Sequence, residues 1–208
     1  MLARVYPIVE SAEWIARLLP AGARLIQLRI KDRTESLREQ IRTARELCAR
    51  AGAQLVLNDY WQLALDEGCD FVHLGQGDLD SADVPALRRA GVRLGVSTHD
   101  EAELERALAL SPDYVALGPI YPTLLKQMPF PPQGLARITE WKRRIGERPL
   151  VAIGGITLER VPGVLIAGAD CAAVVTDIVR SPHPAARVAA WLVTAESISC
   201  GQPRETGA

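Results

Sequence analysis

Three polar side chains alternate along one apolar segment of the chain and could together bind an anion. Gln27, Arg29 and Lys31 are spaced by two residues in the stretch QLRIK. Residues with this spacing point to the same side of an extended chain, so the amide and both cations are expected to face one way. In isolation the spacing is more typical of an edge strand with solvated charges. The position of this segment in the fold therefore has to distinguish an anion-binding site from a solvated edge strand.

Two carboxylates occupy comparable positions after the next two apolar segments. Asp59 follows Asn58, and Asp78 ends the stretch HLGQGD. Either aspartate alone could simply cap the helix that follows it. As a pair they supply the one or two carboxylates with which proteins usually hold Mg²⁺, the other ligands being water and substrate phosphate. Next to an arginine and a lysine, such a pair indicates a pyrophosphate substrate.

Further groups that could bind phosphate follow three later apolar segments. The Ser97 hydroxyl could donate a hydrogen bond to a phosphate oxygen, although serine is also a common turn residue. Gly154-Gly155 and Val175-Thr176 could bring backbone N–H groups close to an anion. A glycine pair is also typical of tight turns, so the position of these residues carries the interpretation.

The segment 118–133 contains five prolines together with Thr123 and Lys126. It lacks helical and strand periodicity and is long for a loop in a compact domain, which is typical of active-site lids or of disorder. We expect a lid whose lysine stabilises negative charge.

Two histidines lie near these groups. His73 falls within an apolar segment and is expected to be a hydrogen-bonded core residue rather than a base. The sequence assigns no role to His99.

Short apolar segments that could position these residues recur along the whole chain. They span residues 4–9, 25–30, 54–57, 71–74, 93–96, 114–117, 150–153 and 171–175. Most are continuously hydrophobic, as parallel strands buried on both faces are. Helical patterns separate them, among them 37–51, which Ser36 and Glu39 would open with a capping box, and 100–110, which starts at Asp100.

Eight alternating units predict a single (β/α)8 TIM barrel with parallel strands and a ligand site at its C-terminal face. An open doubly wound sheet is the competing arrangement, but eight strands fill a barrel without remainder. We expect the barrel domain to span residues 1–195, and a frayed polar tail to span 196–208.

The charge balance, the cysteine spacing and the lengths of the apolar runs limit which partners and which compartment we expect. The chain has 208 residues with 24 basic and 25 acidic side chains and a net charge of −1, so no overall field attracts nucleic acid or an acidic membrane. Its four cysteines are far apart, which indicates reduced thiols. No apolar run approaches the roughly 18 residues of a membrane span, so we expect no membrane partner and, by exclusion, a cytoplasmic location.

Seven motifs in sequence order resemble those of the thiamine phosphate synthase family. They are QLRIK, ND, HLGQGD, GVSTH, ALGPIYPT followed by Lys126, VAIGGI and AVVT, and the resemblance covers residues 6–191. It implies a (β/α)8 barrel with Mg²⁺ as cofactor and two small phosphorylated heterocycles as substrates. Such an enzyme joins the pyrophosphate of hydroxymethylpyrimidine to the phosphate of hydroxyethylthiazole, giving thiamine phosphate and pyrophosphate.

The resemblance also implies roles for individual residues. Those expected to hold the pyrimidine pyrophosphate are Gln27, Leu28, Arg29, Ile30, Lys31, Asn58, Ser97 and Lys126, of which Arg29, Lys31 and Lys126 are expected to act in catalysis. Those expected to hold the thiazole phosphate are Thr123, Leu124, Leu125, Gly155, Val175 and Thr176. Asp59 and Asp78 match the magnesium ligands.

Two positions depart from the family pattern. Leu125 replaces the second hydroxyl of the usual T-x-T-K motif, which removes one hydrogen bond worth roughly 0.5–1.5 kcal/mol. Asp177 stands where a small neutral residue is usual, and its carboxylate would repel a neighbouring anion unless it points away and caps a short helix.

The chemistry implied by these residues is dissociative. Pyrophosphate leaves first, with its charge stabilised by the cations and Mg²⁺, and the thiazole nitrogen then adds to the pyrimidine cation without a general base. Three alternatives remain: a barrel resembling the thiazole tautomerases, a non-catalytic barrel that binds thiazole phosphate, and a different phosphate-handling barrel. The paired aspartates together with QLRIK argue against the tautomerases and against a different phosphate-handling barrel, and the complete candidate metal set argues against the non-catalytic barrel.

Overall fold

A computed structural model describes residues 2–32, 34–123 and 130–198. Its eight strands are β1 Val5–Val9, β2 Leu25–Leu28, β3 Gln54–Asn58, β4 Phe71–Leu74, β5 Arg93–Thr98, β6 Tyr114–Leu117, β7 Leu150–Ile153 and β8 Cys171–Val174. Each strand pairs in parallel with its neighbour in sequence, and β1 pairs with β8 to close a barrel. The predicted (β/α)8 barrel is confirmed, and the open sheet is excluded.

Helices follow the strands and cover the outside of the barrel. Within the described residues they are α1 Ala12–Leu18, α2 Leu37–Arg50, α3 Trp61–Glu67, α4 Val84–Arg89, α5 Glu101–Ala109, α6 Gly134–Ile145, α7 Val161–Ile166, α8 Thr176–Val179 and α9 Pro184–Ser197. None of them is long and apolar enough to cross a membrane. Helix α9 continues to Ser197, past the domain boundary expected at residue 195, and residues 199–208 of the expected tail lie outside the described part.

The two faces of each strand build two separate cores. One face packs against the helices, as Leu28 of β2 does in the cluster that also contains Trp141 of α6. The other face points into the barrel, where Tyr6, Phe71 and Tyr114 pack among smaller aliphatic side chains. Strands buried on both faces account for the continuous hydrophobicity of their sequences.

One of the two helix caps expected from the sequence is present and the other is absent. The Asp100 side chain accepts a hydrogen bond from the Glu103 N–H at 2.9 Å, as predicted for α5. The capping box at α2 is wrong, because Ser36 has helical backbone angles and makes no side-chain cap. Its hydroxyl instead lies 3.0 Å from that of Thr34, so the helix begins without the reciprocal bonds.

Gly95 makes room for an aromatic ring inside the barrel. It lies in register between His73 on β4 and Tyr114 on β6. A Cβ atom at residue 95 would lie 2.1 Å from the Cζ atom of Tyr114. The Tyr114 ring therefore occupies the space above a strand that has no side chain at this point.

We predict that Gly95→Ala lowers the free energy of unfolding by about 1–3 kcal/mol, because the added methyl forces a fully buried ring to move. Chemical denaturation measures the change. Gly77→Ala is the matched control, since a Cβ there meets no atom within 4 Å and the backbone φ is −68°. Equal stability of the two variants would contradict the assigned role of Gly95.

Candidate functional site

The two predicted metal ligands lie side by side at the C-terminal face of the barrel. The Asp59 and Asp78 carboxyl groups are within hydrogen-bond distance of each other. The Gly75 N–H donates to Asp78 Oδ2 at 2.9 Å, and this bond orients the second carboxyl. Asp59 has a φ of 64°, a left-handed conformation that aspartate adopts more readily than most residues. Closure of the barrel therefore joins two carboxylates that follow neighbouring strands.

The environment of Asp59 disfavours its charged form. Burial, and next the charge and proximity of Asp78, raise its pKa from 3.8 to about 6, while Arg29 and Asn58 act in the opposite direction. Two carboxylates in contact cannot both ionise without cost unless a proton or a cation lies between them. A cation between the two carboxyls would relieve this repulsion, and Arg29 is close enough to lower the pKa of Asp59.

The side chains of the QLRIK segment lie on two different faces of the barrel wall. Gln27 is only 2% exposed and faces the interior, whereas Leu28 is fully buried between the barrel and the helices. Ile30 packs on the same outer side, so Leu28 and Ile30 could reach a ligand only through their backbone. Arg29 is half-buried, and Lys31 is exposed with no partner among the described side chains.

A chain of hydrogen bonds inside the barrel connects Gln27 to Ser97. Gln27 Nε2 donates to the Tyr6 hydroxyl at 3.0 Å, and the Tyr6 and Tyr114 hydroxyls are 3.2 Å apart. The Tyr114 hydroxyl lies 2.7 Å from His73 Nδ1, and His73 Nε2 lies 2.8 Å from Ser97 Oγ. Sequence reasoning did not identify Tyr6 and Tyr114. Their only sequence signal was two tyrosines at inward-facing strand positions.

His73 is the hydrogen-bonded core residue that the sequence predicted. Both of its ring nitrogens have partners, and burial, followed by the charge of Arg29, lowers its pKa to about 4. The ring also stacks on Tyr114, with the two planes 11° apart. His73 is therefore neutral near pH 7 and does not act as an exposed base.

His99 connects β5 to the end of the long loop. Its Nδ1 lies 2.7 Å from Glu103 Oε2, and its ring stacks on Phe130 with centroids 4.5 Å apart. Gln133 Nε2 donates to the His99 carbonyl at 2.9 Å. These contacts attach one end of the predicted lid beside Ser97. Its central residues, with Leu124, Leu125 and Lys126, lie outside the described part of the chain.

Gln76 supplies a second group beside Ser97. Its Nε2 donates to the Ser97 carbonyl at 2.7 Å. Its Oε1 is buried and has no hydrogen-bond partner among the described residues. A buried acceptor of this kind is available to a ligand that carries an N–H group.

The Gly154-Gly155 pair is packed tightly against the loop that follows β6. Both glycines have positive φ, and a Cβ on Gly155 would lie 2.4 Å from the Pro122 carbonyl oxygen. The Tyr121 N–H donates to the Gly154 carbonyl at 3.0 Å. Glycine is thus required here for the two loops to approach, and Thr123 directly follows Pro122 in the loop after β6.

The Asp177 carboxylate points away from the strand ends. Arg187 on α9 donates two hydrogen bonds of 2.8 Å to it, and Trp191 Nε1 donates a third of 2.6 Å. These bonds hold its pKa below the usual value despite partial burial. Asp177 points away as one sequence alternative proposed, but it binds α9 rather than capping α8, which begins at Thr176 without a side-chain cap.

We predict that Asp59→Asn stabilises the metal-free protein above pH 6. Because the folded-state pKa lies above 3.8, the wild type loses stability as the pH rises through about 6 and Asp59 ionises, whereas asparagine has no such charge. After discounting for solvent screening, the expected gain near pH 7.5 is about 1–2 kcal/mol.

The gain should be much smaller at pH 4, where Asp59 is protonated in the folded wild type and only about half ionised in the unfolded chain. Urea denaturation at both pH values measures the difference. Asp80→Asn, at an exposed carboxylate two residues from Asp78, is the control. A gain of equal size at pH 4 and pH 7.5 would contradict the assigned repulsion.

Comparison with known proteins adds independent information. The family model described as thiamine monophosphate synthase matches residues 5–178. A thiamine-phosphate synthase from Rhizobium etli is 63% identical over 90% of this chain and 92% of its own length. One from Cronobacter sakazakii is 52% identical over 86% of this chain and 85% of its own length.

A solved structure of similar fold agrees with the barrel architecture. The thiamine phosphate pyrophosphorylase from Pyrococcus furiosus superposes with a TM-score of 0.83 at 24% identity, covering 94% of this chain and 96% of its own. At that identity the likeness supports the fold alone, whereas the family model and the relatives establish descent. The chain belongs to the thiamine monophosphate synthase family.

Proposed function

We propose that this chain is a thiamine-phosphate synthase that joins hydroxymethylpyrimidine pyrophosphate to hydroxyethylthiazole phosphate and releases pyrophosphate. Its close relatives carry the name thiamine-phosphate synthase. The observation that supports the proposal best is the contact between the Asp59 and Asp78 carboxyls near Arg29. Paired carboxylates next to a guanidinium suit a metal-bound pyrophosphate.

The donor set fits Mg²⁺. No group of three or more histidine, cysteine or acidic side chains that could hold a metal occurs among the described residues, so the protein offers two carboxylates at this point. Magnesium commonly takes one or two carboxylates and completes its octahedron with water and substrate phosphate. When bound by Asp59 and Asp78, the ion would supply positive charge to a pyrophosphate leaving group.

The remaining groups of this half of the site suit a pyrophosphate that carries a pyrimidine. The charge of Arg29 acts on both Asp59 and His73, and Lys31 is exposed at the end of the same segment. Asn58 contacts Asp59, and the Ser97 hydroxyl is half-buried one strand beyond His73. We assign Arg29 and Lys31 to charge stabilisation during bond cleavage. The same role for Lys126 stays a prediction.

Backbone groups at the other side of the C-terminal face suit the thiazole phosphate. The short helix α8 begins at Thr176, directly after Val175 and the end of β8, and the first N–H groups of a helix lack acceptors within it. Gly155 and Thr123 belong to the neighbouring loops. Because Arg187 neutralises Asp177, the aspartate that departs from the family pattern does not oppose phosphate binding.

The proposed reaction is dissociative. The C–O bond to pyrophosphate breaks first, and Arg29 and Lys31 stabilise the charge that develops on the leaving oxygens. The lone pair of the thiazole nitrogen then forms the C–N bond, so no proton has to be removed. A neutral His73 whose ring nitrogens both bind hydroxyls is consistent with a site that has no general base.

The three alternative functions do not require both the carboxylate pair and the QLRIK segment. A thiazole tautomerase or a non-catalytic barrel that binds thiazole phosphate has no need for two carboxylates in repulsive contact. A different phosphate-handling barrel would not need QLRIK next to them. The cytoplasmic location inferred from the sequence stays a prediction.

We predict that purified protein releases pyrophosphate only when both heterocyclic substrates and Mg²⁺ are present. Asp59→Asn should lower the turnover rate by about 100-fold or more, since it removes one charged ligand of the electrostatic site. Asp80→Asn should stay within about twofold of the wild type, because Asp80 forms an exposed ion pair with Arg106. A coupled phosphate assay measures the rates.

Two results would contradict the proposal. Release of pyrophosphate without Mg²⁺ would contradict the proposed role of Asp59 and Asp78 as ligands of a required metal ion. Binding of thiazole phosphate without any turnover would favour the tautomerase or the non-catalytic barrel.

A further inference from the structure

The hydrogen-bond chain from Gln27 to Ser97 runs through the barrel core without a charged group. It comprises Gln27, Tyr6, Tyr114, His73 and Ser97, with successive contacts of 3.0, 3.2, 2.7 and 2.8 Å. Tyr6 and Tyr114 are at most 1% exposed, and His73 is 8% exposed. We refer to these five residues as the polar column.

The direction of the hydrogen bonds follows from the number of donors. The Gln27 amide donates to the Tyr6 oxygen, and a tyrosine has one hydrogen to give. The Tyr6 hydroxyl has two partners among the described residues, Gln27 and Tyr114, so its hydrogen must go to Tyr114. In the opposite direction the Tyr6 hydrogen would be buried without an acceptor, which is costly.

The same reasoning continues to the end of the column. Tyr114 accepts from Tyr6 and therefore donates to His73 Nδ1. A neutral imidazole that accepts at Nδ1 carries its hydrogen on Nε2, so His73 donates to Ser97 Oγ. The Ser97 oxygen is then occupied as an acceptor, and the serine hydrogen is left for another group.

We propose that Tyr6, Tyr114 and His73 are positioning residues that fix Ser97 as a hydrogen-bond donor toward the ligand site. The acceptor would be an oxygen or ring nitrogen of the pyrimidine pyrophosphate, and this part rests on the proposed function. The direction of the column itself does not depend on the identity of the substrate.

The surroundings hold the column in one arrangement. The missing side chain of Gly95 leaves space for Tyr114, whose ring stacks on His73 and meets Tyr6 edge to face. Gln76 donates to the Ser97 carbonyl, which limits movement of the serine backbone. The serine is thus restrained from both its side chain and its main chain.

The first test is the tautomer of His73 in the free protein. The full chain is labelled with ¹⁵N, and long-range ¹H–¹⁵N correlation spectra near pH 7.5 report which ring nitrogen carries hydrogen. The chain has three histidines, so the signals missing from His73→Gln identify those of His73. We expect a single tautomer protonated at Nε2. Protonation at Nδ1, or an even mixture, would overturn the proposal.

The second test separates positioning from general stability. Ser97→Ala should raise the KM for the pyrimidine pyrophosphate about 10-fold and Tyr114→Phe about 3-fold, as expected for losing or weakening one hydrogen bond. The double variant should match Ser97→Ala, because both changes act through one donor. Multiplicative effects of the two changes would overturn the proposal.

Conservative variants distinguish a hydrogen-bond role from a packing role. His73→Gln keeps an amide donor toward Ser97 and should remain within about 3-fold of the wild-type KM, whereas His73→Leu should resemble Ser97→Ala. Thr98→Val is the control, since Thr98 bonds the Ala116 carbonyl and Trp141 on the outer face of the same strand. It should lower the melting temperature without changing the KM.

Equal KM values for the glutamine and leucine variants would overturn the proposal. If the wild type released no pyrophosphate, the proposed function would fail, but the tautomer measurement would still decide the direction of the column.

Discussion

The repulsion between the Asp59 and Asp78 carboxylates is the interaction on which the rest of the site depends. Burial and mutual proximity raise the pKa of Asp59 to about 6, so the metal-free protein carries an unfavourable contact at neutral pH. A closed barrel can hold such a contact because its stability comes from two extensive cores elsewhere. A cation bound between the carboxylates, as we propose, would recover the energy stored in the pair.

The interior of the barrel contributes more than packing. Layers of aliphatic side chains would suffice for stability, yet two tyrosines and a histidine form a continuous hydrogen-bond chain that ends at Ser97. Every member has a partner, as buried polar groups require. The column therefore links the packing of the core to the orientation of a hydroxyl at the C-terminal face.

Much of the fold could be predicted because its signals are local. Continuous apolar runs separated by helical patterns located all eight strands, since parallel strands buried on both faces have no polar alternation. The α2 capping box was wrong because the backbone of Ser36 is helical. The residue types at positions 36 and 39 do not determine the backbone angles of Ser36. The Asp100 cap was right, since its bond needs only the next helical turn.

The proximity of Asp59 and Asp78 was predictable, because both carboxylates follow the ends of neighbouring strands. Contacts were not predictable where the partner is distant in sequence. Tyr6 and Tyr114 meet only because β1 and β6 face each other across the barrel. Likewise, the direction of Asp177 depends on Arg187 in the last helix. Such contacts require the closed barrel and its register.

The most direct test of the proposed metal site at Asp59 and Asp78 is a crystal structure of the protein with Mn²⁺ in place of Mg²⁺ and with pyrophosphate. The anomalous signal of manganese locates the ion. We predict an anomalous peak within bonding distance of both the Asp59 and Asp78 carboxylates, with pyrophosphate between the ion and Arg29. A peak elsewhere, or pyrophosphate bound without an ion at these carboxylates, would contradict it.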